Sequence, residues 1–511
     1  MPNPLFDALF APLAARETPL LHMADGEALT GRDFHALVMR YAAALAKLGV
    51  QPGDRVAAQI AKSPEALALY GASVAAGAVF LPLNTGYTAG EIAYFVGNAR
   101  ARLLVGGPAD AGKLGEVAGA AGAVFATLDA NGAGSLADAA ASADGAGFVP
   151  VERRSGDLAA LLYTSGTTGR SKGAMLSHRN LLSNAEVLVE AWRFTDADTL
   201  LHALPIFHTH GLFVASNVSL LSGGAMIFHP TFNIDAVIAA LPKVTAMMGV
   251  PTFYTRLLDD ARFDRALVGH MRLFTSGSAP LLAETHAAFR ARTGHAILER
   301  YGMTETNMNT SNPYDGERRA GTVGLPLAGV EVRITDGTAG EPVPQGEPGM
   351  IEVRGPNVFA GYWEMPEKTR EDLRPDGFFI TGDIGTIDEQ GYVSIVGRQK
   401  DLIITGGLNV YPKEIELIFD EQPGVLESAV IGLPHADFGE AVACVVVAKP
   451  GARIDTEALS LAVRDRIARF KQPKAIIVVD ALPRNAMGKV EKNALREAHK
   501  NRFASRPAEM A

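Results

Sequence analysis

The sequence lacks the marks of several common protein classes. Its 511 residues contain one cysteine, Cys444, so no disulfide can form within the chain. No cluster of cysteine and histidine with zinc spacing occurs, and no apolar run reaches the 18 residues that span a membrane. Residues 1–20 lack a basic segment followed by an apolar run, which a secretory signal needs. The sequence therefore predicts a soluble, cytoplasmic protein of a reducing compartment, with Cys444 as a small buried hydrophobe.

An excess of basic charge is also absent. The chain has 47 lysines and arginines against 56 aspartates and glutamates, which gives a formal net charge of −9. Nucleic-acid binders and peripheral membrane proteins use a basic surface, so neither partner is expected here. Small molecules are the expected partners. The length exceeds the size at which one hydrophobic core keeps growing, which predicts at least two domains.

The first 300 residues carry an alternating pattern of helices and strands. Residues 31–48 have a helical pattern, and residues 55–60 and 101–105 have the pattern of short apolar strands. Further strand-like segments, each followed by a polar or glycine-rich turn, are residues 158–163, 199–205, 224–228, 245–250, 271–275 and 296–301. Ligands of open α/β sheets bind beyond the carboxyl ends of the strands, so the functional residues are expected in these turns.

The texture of the sequence changes near its last third. Residues 325–399 are rich in β-branched and aromatic residues with Asp-Gly and Gly-Tyr turns, which predicts a β-rich subdomain. Residues 400–511 have a βα pattern of their own and the size of a small domain. Strands are expected at residues 428–431, 441–447 and 475–479, and an amphipathic helix at residues 456–469. The predicted fold is therefore α/β, with a large N-terminal domain (residues 1–399) of βα-layered subdomains plus the β-rich subdomain. A small α+β C-terminal domain (residues 400–511) follows it.

Residues 164–173 read Thr-Ser-Gly-Thr-Thr-Gly-Arg-Ser-Lys-Gly and follow an apolar strand segment. Glycines let backbone N–H groups approach an anion, hydroxyls add donors, and Lys172 adds a compact positive charge. The run is not a Walker A motif, because Gly166 and Gly169 are three residues apart and Gly173 follows the lysine. It predicts a phosphate-binding loop, although a flexible polar turn is the alternative for the run taken alone.

Further runs occur at strand ends or in turns, and each has an ordinary explanation by itself. They are residues 205–211, 276–280, 300–306, 379–383, 397–401, 406–412 and 483–489. Together and in this order, these runs resemble the adenylate-forming superfamily of acyl-CoA synthetases, aryl-CoA ligases and nonribosomal adenylation domains. The resemblance extends from about residue 25 to residue 495.

The resemblance implies an ATP site. The implied nucleotide-binding residues are Thr164, Ser165, Gly166, Thr167, Thr168, Gly169, Lys172, Gly277, Ser278, Arg300, Tyr301, Gly302, Met303, Thr304, Asp383, Arg398 and Gly407. Among them, Tyr301 matches the residue that stacks on adenine, Asp383 the acceptor of the ribose hydroxyls, and Arg398 a second contact there. Glu305, with Thr164, resembles the Mg²⁺ site, and oxygen donors suit such a hard cation.

The superfamily runs two half-reactions, acid adenylation by ATP and thiolysis of the acyl-AMP by coenzyme A. Lys489 resembles the catalytic lysine of the first, where a cation stabilises the approach of two anions. The resemblance makes the C-terminal domain mobile, with Lys400 as its hinge and residues 406–412 as the loop of the pantetheine tunnel. The surroundings of Lys489 also resemble sites that lysine acetyltransferases modify, and loss of its charge is expected to stop adenylation.

The choice of acid is expected to lie elsewhere. Arg256, on the helix after residues 249–252, is suited to bind a second carboxylate, although a solvated arginine is the ordinary alternative. Residues 204–213 and 302–309 are similar to those of bacterial malonyl-CoA synthetases. This closer resemblance implies that Arg256, Ser278 and His208 hold the distal carboxylate. His208 is equally suited to gate the thiol, and His210 is expected to be structural.

The expected function is therefore an ATP-dependent malonate:CoA ligase that also accepts methylmalonate, since one extra methyl costs only about 1 to 3 kcal/mol. An arginine opposite an apolar tail would cost about 3 to 5 kcal/mol, which disfavours monocarboxylates. A short-chain or aryl monocarboxylate:CoA ligase is the alternative enzyme. A non-catalytic nucleotide-binding protein is the alternative from another class, and the presence of Lys489, Glu305 and Arg398 argues against it.

Overall fold

The computed structural model describes residues 2–24, 26–164, 171–405, 408–435, 438–464, 466–485 and 488–503. Its contacts divide the chain into two compact units. The first unit consists of Met1–Val332 and Val353–Phe379, and the second of Arg333–Glu352 and Ile380–Ala511. This division crosses the strands of the β-rich part. The boundary at residue 400 remains a prediction.

A large, mainly parallel sheet organises the first unit. Its strands, in spatial order, are Leu325–Pro326, Asn307–Ser311, Leu298–Met303, Leu273–Ser276, Ala246–Gly249, Thr199–His202, Ala225–Phe228, Pro19–His22 and Ala28–Thr30. The strands from Leu298–Met303 to Pro19–His22 run parallel to one another. Their carboxyl ends therefore meet at one edge of the sheet, which the α/β prediction required.

A second sheet lies in the same unit. Its strands, in spatial order, are Val124–Thr127, Ala101–Gly106, Arg55–Gln59, Val79–Pro82, Leu158–Thr164 and Lys172–Ser177. The last two form an antiparallel pair in which Thr164 lies opposite Lys172. Helix Ala89–Ala99 packs on this sheet through Ile92, Phe95 and Val96, so the apolar face is buried. The predicted strands are confirmed here, and Val124–Thr127 is an additional one within residues 106–147, a stretch rich in alanine and glycine.

Helices cover the sheets of the first unit. They are Pro4–Leu9, Gly31–Lys47, Pro64–Ala75, Ala89–Ala99, Ala111–Ala121, Ser135–Ala141, His178–Ala191, Asn217–Ser222, Ile234–Ala240, Pro251–Asp259, Arg265–Val268, Ala283–Thr293 and Pro366–Asp372. The predicted helix at residues 31–48 is confirmed. It begins at Thr30, whose side chain accepts from the Asp33 N–H while the Asp33 carboxylate accepts from the Thr30 N–H. Residues 210–216 form a π-helix, which the sequence pattern did not predict.

The second unit contains two sheets. One has strands Glu331–Thr335, Gly349–Arg354, Phe379–Ile387 and Val393–Arg398 in that order, which is the predicted β-rich part. In the other, Gly439–Ala448 pairs with Val425–His435, Ile403–Thr405 and Ala475–Val479, and Leu408–Val410 extends the edge. Helices Pro412–Asp420, Thr456–Arg464 and Lys492–His499 complete the unit. Strand and helix thus mix as expected for an α+β domain.

The core of the second unit follows the alternation of one strand. Val442, Cys444 and Val446 face one apolar cluster, and Ala443 and Val445 face another. Side chains of successive strand residues point to opposite faces, so this strand is buried on both sides. Cys444 is the buried hydrophobe that the sequence predicted. Burial raises the pKa of its thiol well above the usual value.

We find no helix in the described ranges that is long and apolar enough to cross a lipid bilayer.

Candidate active site

The carboxyl ends of the parallel strands bring several of the predicted site residues to one edge of the large sheet. Strands of the first unit end at His202, Gly249, Ser276 and Met303. The segments that follow them carry His208, the helix with Arg256, Ser278 and Glu305. The sequence placed these residues in separate runs, and the parallel order of the strands brings the runs to a common edge.

The predicted phosphate loop connects two antiparallel strands. Thr164 ends one strand and Lys172 begins the next. Residues 165–170, which include Ser165, Gly166, Thr167, Thr168 and Gly169, lie outside the described residues. The two flanking residues therefore define where the loop starts and ends.

Glu305 lies in a buried polar cluster beside that loop. The residue is 6 % exposed and sits in the turn between strands Leu298–Met303 and Asn307–Ser311. Its Oε1 accepts a hydrogen bond of 3.2 Å from the Tyr362 hydroxyl. The Thr164 hydroxyl approaches the same oxygen at 3.5 Å. Glu305 and Thr164, predicted from separate motifs, are thus neighbours.

Tyr362 also contacts the lysine of the loop. The Lys172 ammonium lies 4.3 Å from the centre of the Tyr362 ring, and its Nζ is 3.6 Å from Asp372 Oδ2. Burial raises the pKa of the Tyr362 phenol, with further contributions from Glu305 and Asp372. The phenol therefore stays protonated and donates to Glu305. One aromatic side chain links the candidate metal ligand to the candidate phosphate-binding lysine.

The donors at Glu305 suit magnesium only together with a substrate. Across the described ranges no group of three or more His, Cys, Asp or Glu side chains is arranged to hold a metal ion. Magnesium is commonly bound by one or two carboxylates plus phosphate oxygens and water. A single buried carboxylate with a hydroxyl at 3.5 Å fits that mode, because the residues described here supply only part of the ligand set that the ion needs.

Ser278 and His210 form a second polar cluster. The Ser278 hydroxyl lies 3.2 Å from His210 Nδ1, and Ser278 has a positive φ of 69°. A non-glycine residue in this region is strained, which is common at functional sites. Burial, then the charge of Arg300, holds the pKa of His210 well below its usual value. A neutral imidazole therefore faces Ser278.

His208 lies two residues before His210 on the same segment. It is half-buried, and its Nδ1 accepts from the His210 N–H at 3.2 Å. His210, expected to be structural, is fully buried, and its Nε2 has no hydrogen-bond partner in the described part of the chain. An unpartnered buried nitrogen costs about 1 to 3 kcal/mol, so this ring is not explained by packing alone.

Arg300 is a buried cation with which no carboxylate in the described ranges pairs. The residue is 3 % exposed, and its Nε and Nη2 have no hydrogen-bond partner among the residues described. A Cβ built on Gly277 would lie 2.4 Å from the Arg300 guanidinium carbon, so the guanidinium packs on the glycine before Ser278. Burial lowers the pKa of Arg300 to about 9, which leaves it charged at neutral pH. The site thus contains an uncompensated positive charge.

Arg256 has a different environment. Its neighbours Phe253, Tyr254 and Leu257 are buried as expected, but Arg256 itself is exposed. The guanidinium lies 5.9 Å from the centre of the Phe232 ring, and no carboxylate in the described ranges pairs with it. Its assignment as a carboxylate ligand stays a prediction.

The remaining nucleotide residues of the first unit lie on or beside the strand Leu298–Met303. Tyr301 is buried, and its hydroxyl lies 3.9 Å from the sulfur of Met303. The strand pairing shifts between Tyr301 and Gly302, and the turn with Thr304 follows. The shift re-aims the chain immediately before Glu305.

The second unit pairs the two predicted ribose contacts. Asp383 and Arg398 lie opposite each other on neighbouring strands, with Arg398 Nε 2.6 Å from Asp383 Oδ1. Asp383 is 3 % exposed, and its N–H donates to Thr381 Oγ1 at 3.0 Å. The carboxylate is therefore held in place before any ligand binds. Lys400, the predicted hinge, is exposed in the turn Gln399–Asp401.

Lys489 follows a tight turn in the second unit. The turn is closed by backbone bonds between Asn485 and both Gly488 and Lys489, and Arg484 pairs with Glu427 beside it. Lys489 is exposed at the end of this turn. Gly406 and Gly407 of the predicted tunnel loop lie outside the described residues, which resume at Leu408.

Sequence reasoning did not assign a site role to Tyr362, and it treated Arg300 only as a nucleotide contact. Tyr362 carries no signal of its own, because its contact with Glu305 joins residues 57 positions apart. Arg300 is charged within a segment that folds as a buried strand, and that pattern was available in the sequence.

Known proteins resemble this chain over most of its length. Residues 13–363 match the family model of the AMP-binding enzymes, and residues 414–489 match that of the AMP-binding enzyme C-terminal domain. The chain is similar to the ATP-bound crystal structure of MatB from Rhodopseudomonas palustris, with 56 % identity, coverage of 98 % of this chain and 100 % of that one, and a TM-score of 0.96.

Two curated relatives differ in the acid that their names state. A feruloyl-CoA synthase of Amycolatopsis sp. is 39 % identical over 479 residues, which are 92 % of this chain and 94 % of the relative. The malonate–CoA ligase of Mus musculus is 35 % identical over 465 residues, 83 % of this chain and 78 % of the relative. The family model covers more than half of the sequence, so the chain belongs to the AMP-binding enzyme family.

Proposed function

We propose that this protein is an acid–thiol ligase that joins malonate to coenzyme A at the expense of ATP, with release of AMP and pyrophosphate. Methylmalonate is a second substrate, because one added methyl changes binding by only about 1 to 3 kcal/mol. The proposal rests on the family, on the similarity to a malonate–CoA ligase, and on the character of the acid site.

One observation supports a dicarboxylate over other acids. Arg300 is buried and charged, and no carboxylate of the described chain neutralises it. A buried charge without a partner is costly, so its retention is explained by a ligand that supplies the missing anion. Ser278 and His210, which lie beside it, add polar atoms to the same place. Malonate has a second carboxylate to bind there, and ferulate has none.

The chemistry requires two substitutions. A carboxylate oxygen of the acid forms a bond to the α-phosphorus of ATP, and the bond from that phosphorus to pyrophosphate breaks. The sulfur of coenzyme A then forms a bond to the acyl carbon, and the bond from that carbon to AMP breaks. We assign Lys489 to the first substitution, where an ammonium stabilises the negative charge that the two anions bring together.

The nucleotide assignments follow the same logic. In the first unit, Thr164, residues 165–169 and Lys172 are proposed to hold the β- and γ-phosphates, and Tyr301 to stack on adenine. Magnesium, bound by Glu305 and Thr164 together with phosphate oxygens, would neutralise charge on the leaving group. In the second unit, Asp383 and Arg398 are proposed to contact the ribose.

The distal carboxylate is proposed to bind Arg256, Ser278 and His208, with Arg300 as the buried cation beneath them. The exposed position of Arg256 suits a residue at the mouth of the site, where it attracts the dianion. His208 remains open to either role, substrate contact or gate for the thiol. Lys400 is proposed as the hinge, and residues 406–412 as the wall of the pantetheine tunnel.

A substrate panel tests the function. Pyrophosphate release and thioester formation are measured with ATP, coenzyme A and a series of C2 to C5 monocarboxylic and dicarboxylic acids, plus ferulate. Malonate is expected to give the highest kcat/KM, with methylmalonate lower by about 10- to 200-fold at most, the factor that one methyl is worth. A higher kcat/KM with acetate, butyrate or ferulate would replace the dicarboxylate assignment. No release with any acid would refute the enzyme.

An aromatic monocarboxylate is the second candidate substrate, because a feruloyl-CoA synthase is among the similar proteins. Arg256→Ala separates the two possibilities. Malonate turnover should fall by about ten- to a hundredfold if Arg256 binds the second carboxylate, the range for a hydrogen bond to a charged group. Unchanged malonate turnover would assign the exposed arginine to solvent contact only.

Acetylation of Lys489 is a proposed control of the same step. The side chain is exposed, so a lysine acetyltransferase can reach it. Neutralisation of the ammonium removes the charge that adenylation needs. Mass spectrometry after treatment with an acetyltransferase and acetyl-CoA should locate one acetyl group on Lys489 and a parallel loss of pyrophosphate release. Modification that leaves this release unchanged would contradict the assignment of Lys489.

A further inference from the structure

Lys62 is a buried lysine that the proposed chemistry does not use. It is 8 % exposed and lies between the strand Arg55–Gln59 and the helix Pro64–Ala75. Its ammonium lies 4.1 Å from the centre of the Phe228 ring. In the part of the chain that the structure describes, no carboxylate lies within ion-pair distance of it. Buried lysines without a carboxylate are rare, so this one calls for a specific reason.

Its three N–H bonds are all taken by the protein. Nζ lies 2.9 Å from His202 Nδ1, 2.7 Å from the His202 carbonyl oxygen and 3.0 Å from the Leu204 carbonyl oxygen. Burial lowers the pKa of Lys62 well below its usual value, but an ammonium group, which has three protons and no acceptor, is the form that these three acceptors fit. Lys62 therefore has no donor left for a substrate anion, and its role lies within the protein.

The contacts of His202 fix its protonation. Its Nε2 lies 2.9 Å from the Gly211 carbonyl oxygen, which can only accept, so Nε2 carries the proton. Nδ1 must then accept, and the donor to it is the Lys62 ammonium. Burial, then the Lys62 charge, holds the pKa of His202 well below its usual value, so the ring is neutral. The same two causes lower the pKa of His229, the other titratable group that faces Lys62.

The hydrogen bonds of Lys62 and His202 hold both ends of one segment. Lys62 binds the carbonyl of Leu204, and His202 binds the carbonyl of Gly211. Residues 205–210 lie between these two points and carry His208 and His210. A Cβ at Gly211 would lie 2.0 Å from the Pro205 carbonyl oxygen, so the segment closes tightly on itself.

The carbonyl of Gly211 also belongs to the π-helix His210–Ser216, a rare helical form with i→i+5 hydrogen bonds that is frequent at functional sites. Ser216 Oγ donates to it at 2.9 Å, beside the bond from His202. Two side chains thus bind this carbonyl, and Lys62 sets the His202 tautomer that makes one of these bonds possible.

We propose that Lys62 and His202 form a clasp that positions the segment 205–210 for binding of the acid, with Lys62 as the positioning residue. The inference rests on the proposed function, since it takes His208 and His210 as residues of the acid site. His210 joins the segment to Ser278 across the site. Loosening the clasp therefore moves the acid-binding groups and leaves Glu305 and Thr164 in place.

The test is Lys62→Met, which keeps the length of the side chain and removes its three donors. KM for the acid that the wild type uses best should rise at least tenfold, with KM for ATP changed less than twofold. Hydrogen–deuterium exchange without substrates should accelerate in peptides that cover residues 203–212. Lys113→Met, at an exposed lysine of the same unit, is the matched control and should alter neither quantity.

Two outcomes would overturn the clasp. One is faster exchange spread over the whole first unit with an unchanged KM for the acid, which is the result of lost stability alone. The other is an equal rise of KM for the acid and for ATP. The exchange measurement needs no substrate, so it stands even where the wild type activates no acid and the proposed function fails.

Ser216→Ala serves as the second variant, because Lys62→Met leaves several buried acceptors without donors. It removes only the hydroxyl that shares the Gly211 carbonyl with His202. KM for the acid should rise two- to fivefold, with faster exchange at residues 203–212. No change in either quantity would count against the proposal, including the case in which Lys62→Met fails to fold.

Discussion

The two edges of the large sheet differ in whether their polar groups are hydrogen-bonded within the described chain. At the amino ends of the strands, Asp198, Thr245 and Arg272 satisfy one another. Thr245 Oγ1 donates to Asp198 at 2.6 Å, and Arg272 binds both carboxylate oxygens at 2.6 and 2.7 Å. At the carboxyl ends, the hydroxyls of Thr275 and Ser276 and two nitrogens of Arg300 have no partner among the described residues.

Within this one sheet, the polar groups of the amino edge contribute to stability and those of the carboxyl edge to function. Arg272 precedes one parallel strand, and Arg300 lies within the next. Arg300 is buried, whereas Arg272 is partly exposed and pairs with the buried carboxylate of Asp198, which thereby has the partner that a buried charge needs. Arg300 is left for a ligand to complete, at a cost in stability that only binding recovers. The contrast predicts opposite phenotypes for the same substitution at the two sites.

Arg300→Met should have the largest effect on activity. Loss of the buried cation should lower kcat/KM for malonate by about a hundred- to several-thousand-fold, equivalent to about 3 to 5 kcal/mol. The melting temperature should stay the same or rise, because an uncompensated buried charge is replaced by an apolar side chain of similar length. Steady-state kinetics measures the loss of kcat/KM, and calorimetry measures the melting temperature. A melting temperature lowered by many degrees with malonate turnover intact would remove the contrast between the edges.

Arg272→Met should give the reverse result. It leaves Asp198 buried without its partner, so the free energy of unfolding should fall by about 3 to 5 kcal/mol. The kcat/KM of the folded fraction should change less than twofold, since Arg272 lies at the edge away from the site. Denaturant titration followed by kinetics at low temperature measures both. Loss of activity without loss of stability would show that the amino edge is not merely structural.

Tyr362→Phe sharpens the comparison on the functional edge, where a hydroxyl supports a candidate metal ligand. The ring and its contact with Lys172 are kept, and the bond to Glu305 is lost. The Mg²⁺ concentration for half-maximal activity should rise about tenfold, the lower range for supporting contacts of metal ligands. Mn²⁺ titration by electron paramagnetic resonance in the presence of ATP gives a second readout. Tyr41→Phe, another buried tyrosine of the unit, should change neither value.

Thr245→Val tests the smallest contribution on the structural edge. It removes the hydroxyl that donates to Asp198, which should cost about 1 kcal/mol of stability at pH 7. Burial raises the pKa of Asp198, but bonds from Arg272, Thr245 and the Thr195 N–H outweigh it and leave the pKa lowered. A lowered carboxyl pKa adds stability above the unfolded pKa that is lost as pH falls through the folded one. The difference between wild type and variant should therefore shrink in acid, as thermal unfolding at pH 7 and pH 3 would show.

Much of this architecture follows from local pattern. The strand Ala475–Val479 has the predicted bounds, and the helix Gly31–Lys47 ends one residue before the predicted limit. Residues 203–205 were expected to continue a strand, but the chain leaves the sheet after His202. There the Lys62 ammonium donates to the carbonyl oxygens of His202 and Leu204. The helix predicted at residues 456–469 ends at Arg464. Such limits depend on tertiary contacts that no local pattern encodes.

The candidate site was likewise only partly predictable from the sequence. The runs around Glu305, Ser278 and Asp383 were recognisable, because each has a characteristic order of residues. The partners of Glu305 and Ser278 were not recognisable, since Tyr362 and His210 lie in distant parts of the sequence. The exposure of Arg256 agrees with the ordinary alternative of a solvated arginine on an amphipathic helix, although Phe253, Tyr254 and Leu257 are buried. Sequence order identified the chemistry, and the fold identified the supporting contacts.

The buried position of Cys444 makes its thiol a native probe for opening of the core of the second unit. The thiol lies in an apolar cluster of the second unit, and burial raises its pKa, so reagents that attack thiolates are excluded while that core is closed. Its labelling rate therefore measures how often the core of the second unit opens, without any introduced probe. With the only native thiol shielded in this way, a cysteine placed at exposed Lys113 could carry a dye into the first unit alone.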